Sequence, residues 1–213
     1  MGSSIEPGSE IDGFTVGDRV HAGGMGEIFR VTKPGFERAL IMKVPRLGPE
    51  ASESLLGFQT EALIVPTLTG PHVAPFVAAS ELTRTAYLVF EWTEGQTLEE
   101  KLDVGPLPPV QVAAAGAALA DALYALHQQR VIHLDIKPSN VVLRDDGSVV
   151  LIDFGYAHHE KFPDLLAEET RYGAGSAPYV SPEQLLGIRS DRRSDLFALG
   201  VVLYELATGK LPF

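Results

Sequence analysis

The strings Val131-Ile132-His133-Leu134-Asp135-Ile136-Lys137-Pro138-Ser139-Asn140 and Ile152-Asp153-Phe154-Gly155 hold a set of polar side chains suited to phosphate chemistry. Asn140 and Asp153 offer hard oxygen ligands, the kind Mg²⁺ accepts alongside phosphate oxygens. Asp135 can receive or orient a hydroxyl proton, and Lys137 can neutralise a transferring phosphoryl group. Val141 to Leu143 and Val149 to Ile152 flank Asp145-Asp146-Gly147-Ser148, a hairpin pattern that would bring the two strings together. Upstream, Ala22-Gly23-Gly24-Met25-Gly26-Glu27-Ile28 is either a simple turn or a glycine loop whose backbone can approach a polyphosphate. Lys43 ends the apolar run Leu40-Ile41-Met42, and Glu61 shares a helical stripe with apolar neighbours. A lone lysine at a strand end is ordinarily a surface residue. A carboxylate on a buried face needs a partner, however, and Lys43 is the nearest sensible one.

The elements that must position these groups fall into two parts. Phe14 to Val20, Glu27 to Thr32 and Arg38 to Val44 read as strands of an antiparallel meander, and Tyr87 to Glu91 as a further strand. Glu50 to Leu68 has helical spacing until Pro66 disturbs its end. Beyond Pro108-Pro109 the chain turns helical from Val110 to Gln129, and again from Leu196 to Ala207, with Ser194-Asp195 as the expected N-cap. Between Asp153 and Glu183 runs a long irregular segment, a length usually associated with function. The predicted class is α+β with two lobes: a small antiparallel β lobe plus one helix, then a mostly helical, shortened lobe. The boundaries expected are a flexible tail at 1–11, a first lobe at 12–92 and a second at 93–213.

The chain has 213 residues, 45% hydrophobic and 21% charged, enough for one domain with a real core. Its formal net charge of −11 argues against nucleic acid or an anionic membrane as partner, since both call for clustered Lys and Arg. The absence of cysteine excludes disulfides, thiolate metal sites and a cysteine nucleophile. No secretory pattern opens the chain, no stretch reads as an uninterrupted transmembrane span, and the default compartment is the cytoplasm.

Taken in combination, the two strings resemble the catalytic loop and metal-binding motif of eukaryotic-like serine/threonine protein kinases, and the wording around Gly23 to Glu27 is most similar to bacterial members. Gly175-Ser176-Ala177-Pro178-Tyr179-Val180-Ser181-Pro182-Glu183 is similar to the family's Gly-Thr-x-x-Tyr-x-Ala-Pro-Glu segment, and Ser194 to Leu206 to its central helix. The likeness runs from about Phe14 to Phe213. It implies an enzyme that binds Mg·ATP (Mn²⁺ as a substitute metal) and transfers the γ-phosphoryl group to Ser or Thr of a protein substrate.

Carried onto this sequence, the resemblance assigns Gly23, Gly24 and Gly26 to the phosphate loop and Ile28 to the adenine. Lys43 and Glu61 become the strand-to-helix ion pair, Phe90 the gatekeeper, and Glu91-Trp92-Thr93 a hinge whose backbone binds adenine. Asp135 is the catalytic aspartate, Lys137 faces phosphate, Asn140 and Asp153 hold the metal, and Ser176 replaces a threonine that contacts Asp135 and Lys137.

Three departures stand out. His21 occupies the place of the first loop glycine. Leu134 replaces the arginine before the catalytic aspartate, so a phosphate at Thr170 would lack the catalytic-loop cation that receives it. The sequence ends at Leu211-Pro212-Phe213, before the family's remaining helices and the arginine that pairs with Glu183. Since Leu196, Phe197, Leu199, Val201, Val202, Leu203, Tyr204 and Leu206 ring their helix with apolar side chains, a second copy or a partner protein is expected to cover that face. A pseudokinase scaffold and an aminoglycoside-type small-molecule kinase are the alternative readings of the same motifs.

Overall fold

A computed structural model describes residues 5–23, 26–46, 52–80, 85–168 and 176–213. Gly24, Thr170 and Gly175 lie outside the described residues. Strands β1 (Glu10–Ile11), β2 (Phe14–Gly23), β3 (Gly26–Thr32), β4 (Leu40–Pro45), β5 (Phe76–Ala79) and β6 (Leu88–Glu91) form an antiparallel sheet in the order β1-β2-β3-β4-β6-β5. Period-two alternation explains its cover. Phe14, Val16, Phe29, Val31, Leu40, Met42, Tyr87 and Val89 pack together as one cluster. Leu88 and Phe90, the alternate residues of β6, turn into a second cluster with Phe58 of helix α1 (Ser52–Ile64). A 3₁₀ turn at Val65–Thr67, with Pro66 inside it, closes α1 where the proline removes a donor.

The second part of the chain adds β7 (Gln96–Thr97), α2 (Leu98–Leu102), α3 (Pro109–Gln128), β8 (Val131–Ile132), β9 (Val141–Leu143), β10 (Val149–Leu151), β11 (His158–His159), α4 (Pro182–Leu185) and α5 (Arg193–Thr208). β9 and β10 form the expected hairpin, with the Ser148 amide donating to Asp146 Oδ1 at 2.8 Å across the turn. α3 buries Leu119, Ala122, Leu123 and Leu126 in the larger cluster, which also holds Phe58 and Phe90. Core packing is therefore continuous past the chain crossing at Trp92. Gly116 is what lets α3 approach α5: a Cβ there would sit 2.8 Å from Leu203 Cδ2.

Several expectations change. Residues 5–11 are not loose: Gly8 donates to the Val16 carbonyl at 2.8 Å, β1 pairs with β2, and Ile5 packs on the sheet's apolar cluster. β5 carries no strand signal in its sequence, because its four residues lie between prolines and a polar stretch and gain their ladder only from β6. α3 is long and apolar enough to cross a membrane, contrary to the expectation from sequence, yet it serves here as a core helix. α5 begins at Arg193 after Arg192, with no side-chain cap. It buries Ala198, Val201, Val202 and Leu206, while Leu196 and Tyr204 stay half exposed. Its apolar ring is thus covered from within on one side only.

Gly26 is the tightest backbone position in the sheet. Its φ is 143°, and a Cβ would meet the Val44 carbonyl oxygen at 2.1 Å. Gly26→Ala is expected to cost roughly 1–3 kcal/mol, the scale of one strained backbone residue. Urea denaturation checks it; an unchanged midpoint would show that the β3–β4 ladder gives way freely.

Candidate active site

The β4 register places Lys43 opposite Ile28 on β3 and Leu88 on β6, in the middle of the sheet. From there its ammonium reaches Glu61 Oε2 of α1 at 2.5 Å and Asp153 Oδ1 at 2.7 Å. The other Glu61 oxygen accepts the Phe154 amide at 3.2 Å. One carboxylate thereby fixes both the lysine and the backbone next to Asp153. Burial alone would lower Lys43, but attraction to Asp153 and Glu61 outweighs it and holds the lysine above its ordinary range. Burial likewise pushes up the Glu61 carboxyl, against the pull of Lys43. For Asp153 burial acts upward too; the nearby Lys43, with Lys137 and His133 beyond it, reverses the shift from 3.8 to about 2.

A second cluster surrounds Asp135. Its Oδ2 accepts from Lys137 Nζ at 2.9 Å and Asn140 Nδ2 at 3.0 Å, and its Oδ1 from the Ser176 amide at 3.2 Å and hydroxyl at 3.1 Å. Lys137 also donates to Ser176 Oγ at 2.8 Å. Asn140 commits its amide nitrogen to Asp135, leaving its carbonyl oxygen as the end suited to a cation. The Ile152 amide donates to the Asn140 backbone carbonyl at 3.1 Å, tying the two strings together through the β9–β10 hairpin.

Asp195 of α5, expected from sequence to be part of an N-cap, holds the loop that leads into Asp135 instead. Fully buried, it accepts the His133 and Leu134 amides at 2.9 and 2.8 Å and lies 2.8 Å from His127 Nε2. Leu134 has φ of 62°, strained for a residue with a bulky side chain. The Gln184 side chain, donating to the Leu134 carbonyl at 2.9 Å, completes the grip that keeps it there. The sequence signal for this role is a carboxylate in the first turn of an otherwise apolar helix. Glu183 accepts from Ser194 Oγ at 2.9 Å, which in turn receives the Ser181 hydroxyl at 2.9 Å.

At the expected hinge, the Glu91 and Trp92 amides already donate to Pro75 and Ala39 carbonyls at 2.9 and 2.8 Å. Two of the three amides in this stretch are therefore spent within the fold, while their carbonyls accept no backbone hydrogen bond among the described residues. The Thr93 hydroxyl is buried with no hydrogen-bond partner among the described residues. Gly23 pairs with Gly26 across the end of the β2–β3 hairpin, and a Cβ on Gly23 would sit 2.8 Å from His21 Nε2. The imidazole of His21 thus lies directly against the glycine loop.

A small sheet lobe, a helix sending a carboxylate to a strand lysine, and a hairpin flanked by Asn140 and Asp153, with Asp135 in the loop before it, make up the candidate site. The protein kinase domain model matches residues 14–213, so this chain belongs to the protein kinase family. It is similar to a probable serine/threonine-protein kinase of Clostridium perfringens, with 33% identity over 91% of this chain and 28% of that one. Serine/threonine-protein kinase pkn2 of Myxococcus xanthus shares 34% identity over 95% of this chain and 25% of its own length. PknL of Mycobacterium bovis shares 33% over 94% of this chain and 50% of its own length. The chain therefore spans half or less of the length of these relatives.

Two outcomes test the electrostatics. Asp195→Asn leaves one amide of the catalytic loop facing a donor, and is expected to cost about 1.5–3 kcal/mol, the worth of a hydrogen bond to a charged group; an unchanged urea midpoint would dismiss the anchor. Asp164, which His158 and Arg189 hold at about 2 against the opposing effect of burial, gives an acid-side signature. A depressed carboxyl stabilises the fold fully above its unfolded value near 3.8, and that stability is lost as pH falls toward 2. Asp164→Asn should therefore flatten the fall of stability below about pH 4. An acid limb identical to wild type would contradict it.

Proposed function

We propose that the chain is an active serine/threonine protein kinase that transfers the γ-phosphoryl group of Mg·ATP to a Ser or Thr hydroxyl of a protein. The observation that carries this reading is the hydrogen-bonded convergence of Asp135, Lys137 and Asn140 beside the buried Lys43–Glu61–Asp153 cluster. In the reaction the hydroxyl oxygen bonds to the γ-phosphorus, the bond from that phosphorus to the β–γ bridging oxygen breaks, and ADP leaves. Asp135 orients the incoming hydroxyl and takes its proton; Ser176 Oγ, within 3.1 Å of that carboxylate, marks where a substrate hydroxyl would compete. Lys137 faces the transferring group, and Lys43, held rigid by two carboxylates, meets the α- and β-phosphates. Gly23 and Gly26 supply backbone over the phosphates, Ile28 covers the adenine, and the backbone of Glu91-Trp92-Thr93 binds its edge.

The donor set fits the metal: a carbonyl oxygen of Asn140 and the Asp153 carboxylate, whose Oδ2 accepts no hydrogen bond among the described residues. When bound there, Mg²⁺ (or Mn²⁺) offsets charge on the phosphate oxygens. A protein substrate is favoured over a small molecule by Lys137-Pro138 and the Tyr179 to Glu183 segment, the latter within the stretch from Ser176 to Glu183. It is held to the fold through Asp135, through Ser194 and through Tyr179, whose hydroxyl donates to Glu205 at 2.5 Å. By this reading the chain works in the cytoplasm or on the cytoplasmic side of a membrane.

Incubation with radiolabelled ATP, Mg²⁺ and a generic basic protein is the test. Phosphoserine or phosphothreonine should form, and Asp135→Asn or Lys43→Met should abolish it with circular dichroism unchanged. A folded Asp135→Asn protein as fast as wild type would sink the mechanism. Labelling of an aminoglycoside and not of protein would redirect it.

A further inference from the structure

Arg189, in the connection between α4 and α5, is 7% exposed. A guanidinium cannot shed its charge, so a position this deep demands partners. Its Nε donates to Asp164 Oδ1 and Oδ2 at 3.1 and 2.8 Å, and its Nη2 to the Tyr156 carbonyl at 2.9 Å. His158 Nδ1 lies 3.4 Å from the same carboxylate. Tyr156, His158 and Asp164 all belong to the stretch that follows Asp153-Phe154-Gly155. Tyr156 is gripped at both ends, since its hydroxyl donates to Glu53 Oε1 in the first turn of α1 at 2.7 Å. The same helix delivers Glu61 to Lys43. A chain of polar contacts thus runs from the α4–α5 connection, through this segment and α1, to the ion cluster.

In the catalytic loop the position before Asp135 is Leu134, a buried aliphatic with no cation to offer. A phosphate on a loop works by recruiting an arginine to a new charge. Here both halves of such a pair are encoded, the carboxylate at 164 and the guanidinium at 189.

We propose that Arg189 and Asp164 are positioning residues for phosphoryl transfer: their clasp holds residues 156–166, and through Tyr156 the helix α1, so that Glu61 meets Lys43 without any added phosphate. The proposal rests on the kinase reading above. It places regulation at whatever can reach or break the clasp.

The test uses the full 213-residue chain after phosphatase treatment, as wild type, Arg189→Met, Asp164→Asn and the conservative Arg189→Lys. Two readouts are taken: kcat and KM with Mg·ATP and a basic protein, and hydrogen exchange of the amides at 156–168. Wild type should remain active without phosphate. Arg189→Met and Asp164→Asn should each lose roughly 10–100-fold in kcat, the scale set by displacing a catalytic group, with KM for ATP little changed and faster exchange in the segment. Arg189→Lys, which keeps the charge without the fork, should fall between. Loss of wild-type activity on phosphatase treatment would overturn the proposal. So would wild-type kcat in the variants, or unaltered exchange in both. If wild type transfers no phosphate even before treatment, the kinase reading fails, and exchange alone decides the clasp: faster supports it, unchanged rejects it. Should Arg189→Met not fold, Asp164→Asn and Arg189→Lys decide the matter by the same two readouts.

Discussion

Three elements of this molecule meet at one buried ammonium. Lys43 sits between Glu61 and Asp153, joining a strand, a helix and the segment after a hairpin in one cluster. Removing charges from water is costly, and the cost is offset only when the geometry satisfies every charge at once. Moving α1 would strand Lys43 with one carboxylate too few. Moving the Asp153 segment would strand Glu61, which also holds the Phe154 amide. The cluster is thus a poor source of net stability and a strict gauge of arrangement: the site is charged correctly only when three elements are in place together.

The same logic, with backbone groups in place of charges, governs the loop that carries Asp135. Its strained residue Leu134 and the neighbouring His133 present their amides to Asp195 inside the protein, where water cannot serve them. The His133 ring packs 4.8 Å from that of Phe154 and lies 3.2 Å, through Nε2, from the Ile152 carbonyl. The loop that carries Asp135 and the segment that carries Asp153 therefore share a support. α5 is the element on which both depend, although it contributes no residue to the proposed chemistry itself.

Much of the site is legible in the sequence because its residues come in short strings whose spacing is set by local structure. Asp135, Lys137 and Asn140 span a single loop, and the hairpin from Val141 to Leu151 fixes how far Asp153 lies from them. Lys43 and Glu61 are legible as an apolar strand end and a carboxylate on a helical stripe. What the sequence hides are features decided by partners distant along the chain. β5 is a strand only because β6 offers a ladder, and residues 5–11 are ordered only because β2 accepts them. Asp195 has the local pattern of a cap, which cannot show a loop docked against the helix from sixty residues upstream. Glu183 likewise takes its donor from Ser194, eleven residues further on, a pairing that no local pattern announces.

The Arg189–Asp164 clasp belongs to this second kind, which explains why no motif announces it. Neither residue has a telling neighbour, and the two stand 25 positions apart. Their pairing becomes visible only as a burial problem: an arginine shut from solvent needs an anion, and Asp164 is the one that the described residues bring within reach. The charge cluster at Lys43 and the clasp at Arg189 are two answers to one constraint. Each fixes a piece of irregular backbone by making its displacement leave a buried charge unpaired. Tyr156, held by Arg189 at its carbonyl and by Glu53 at its hydroxyl, is the residue through which the two are mechanically joined.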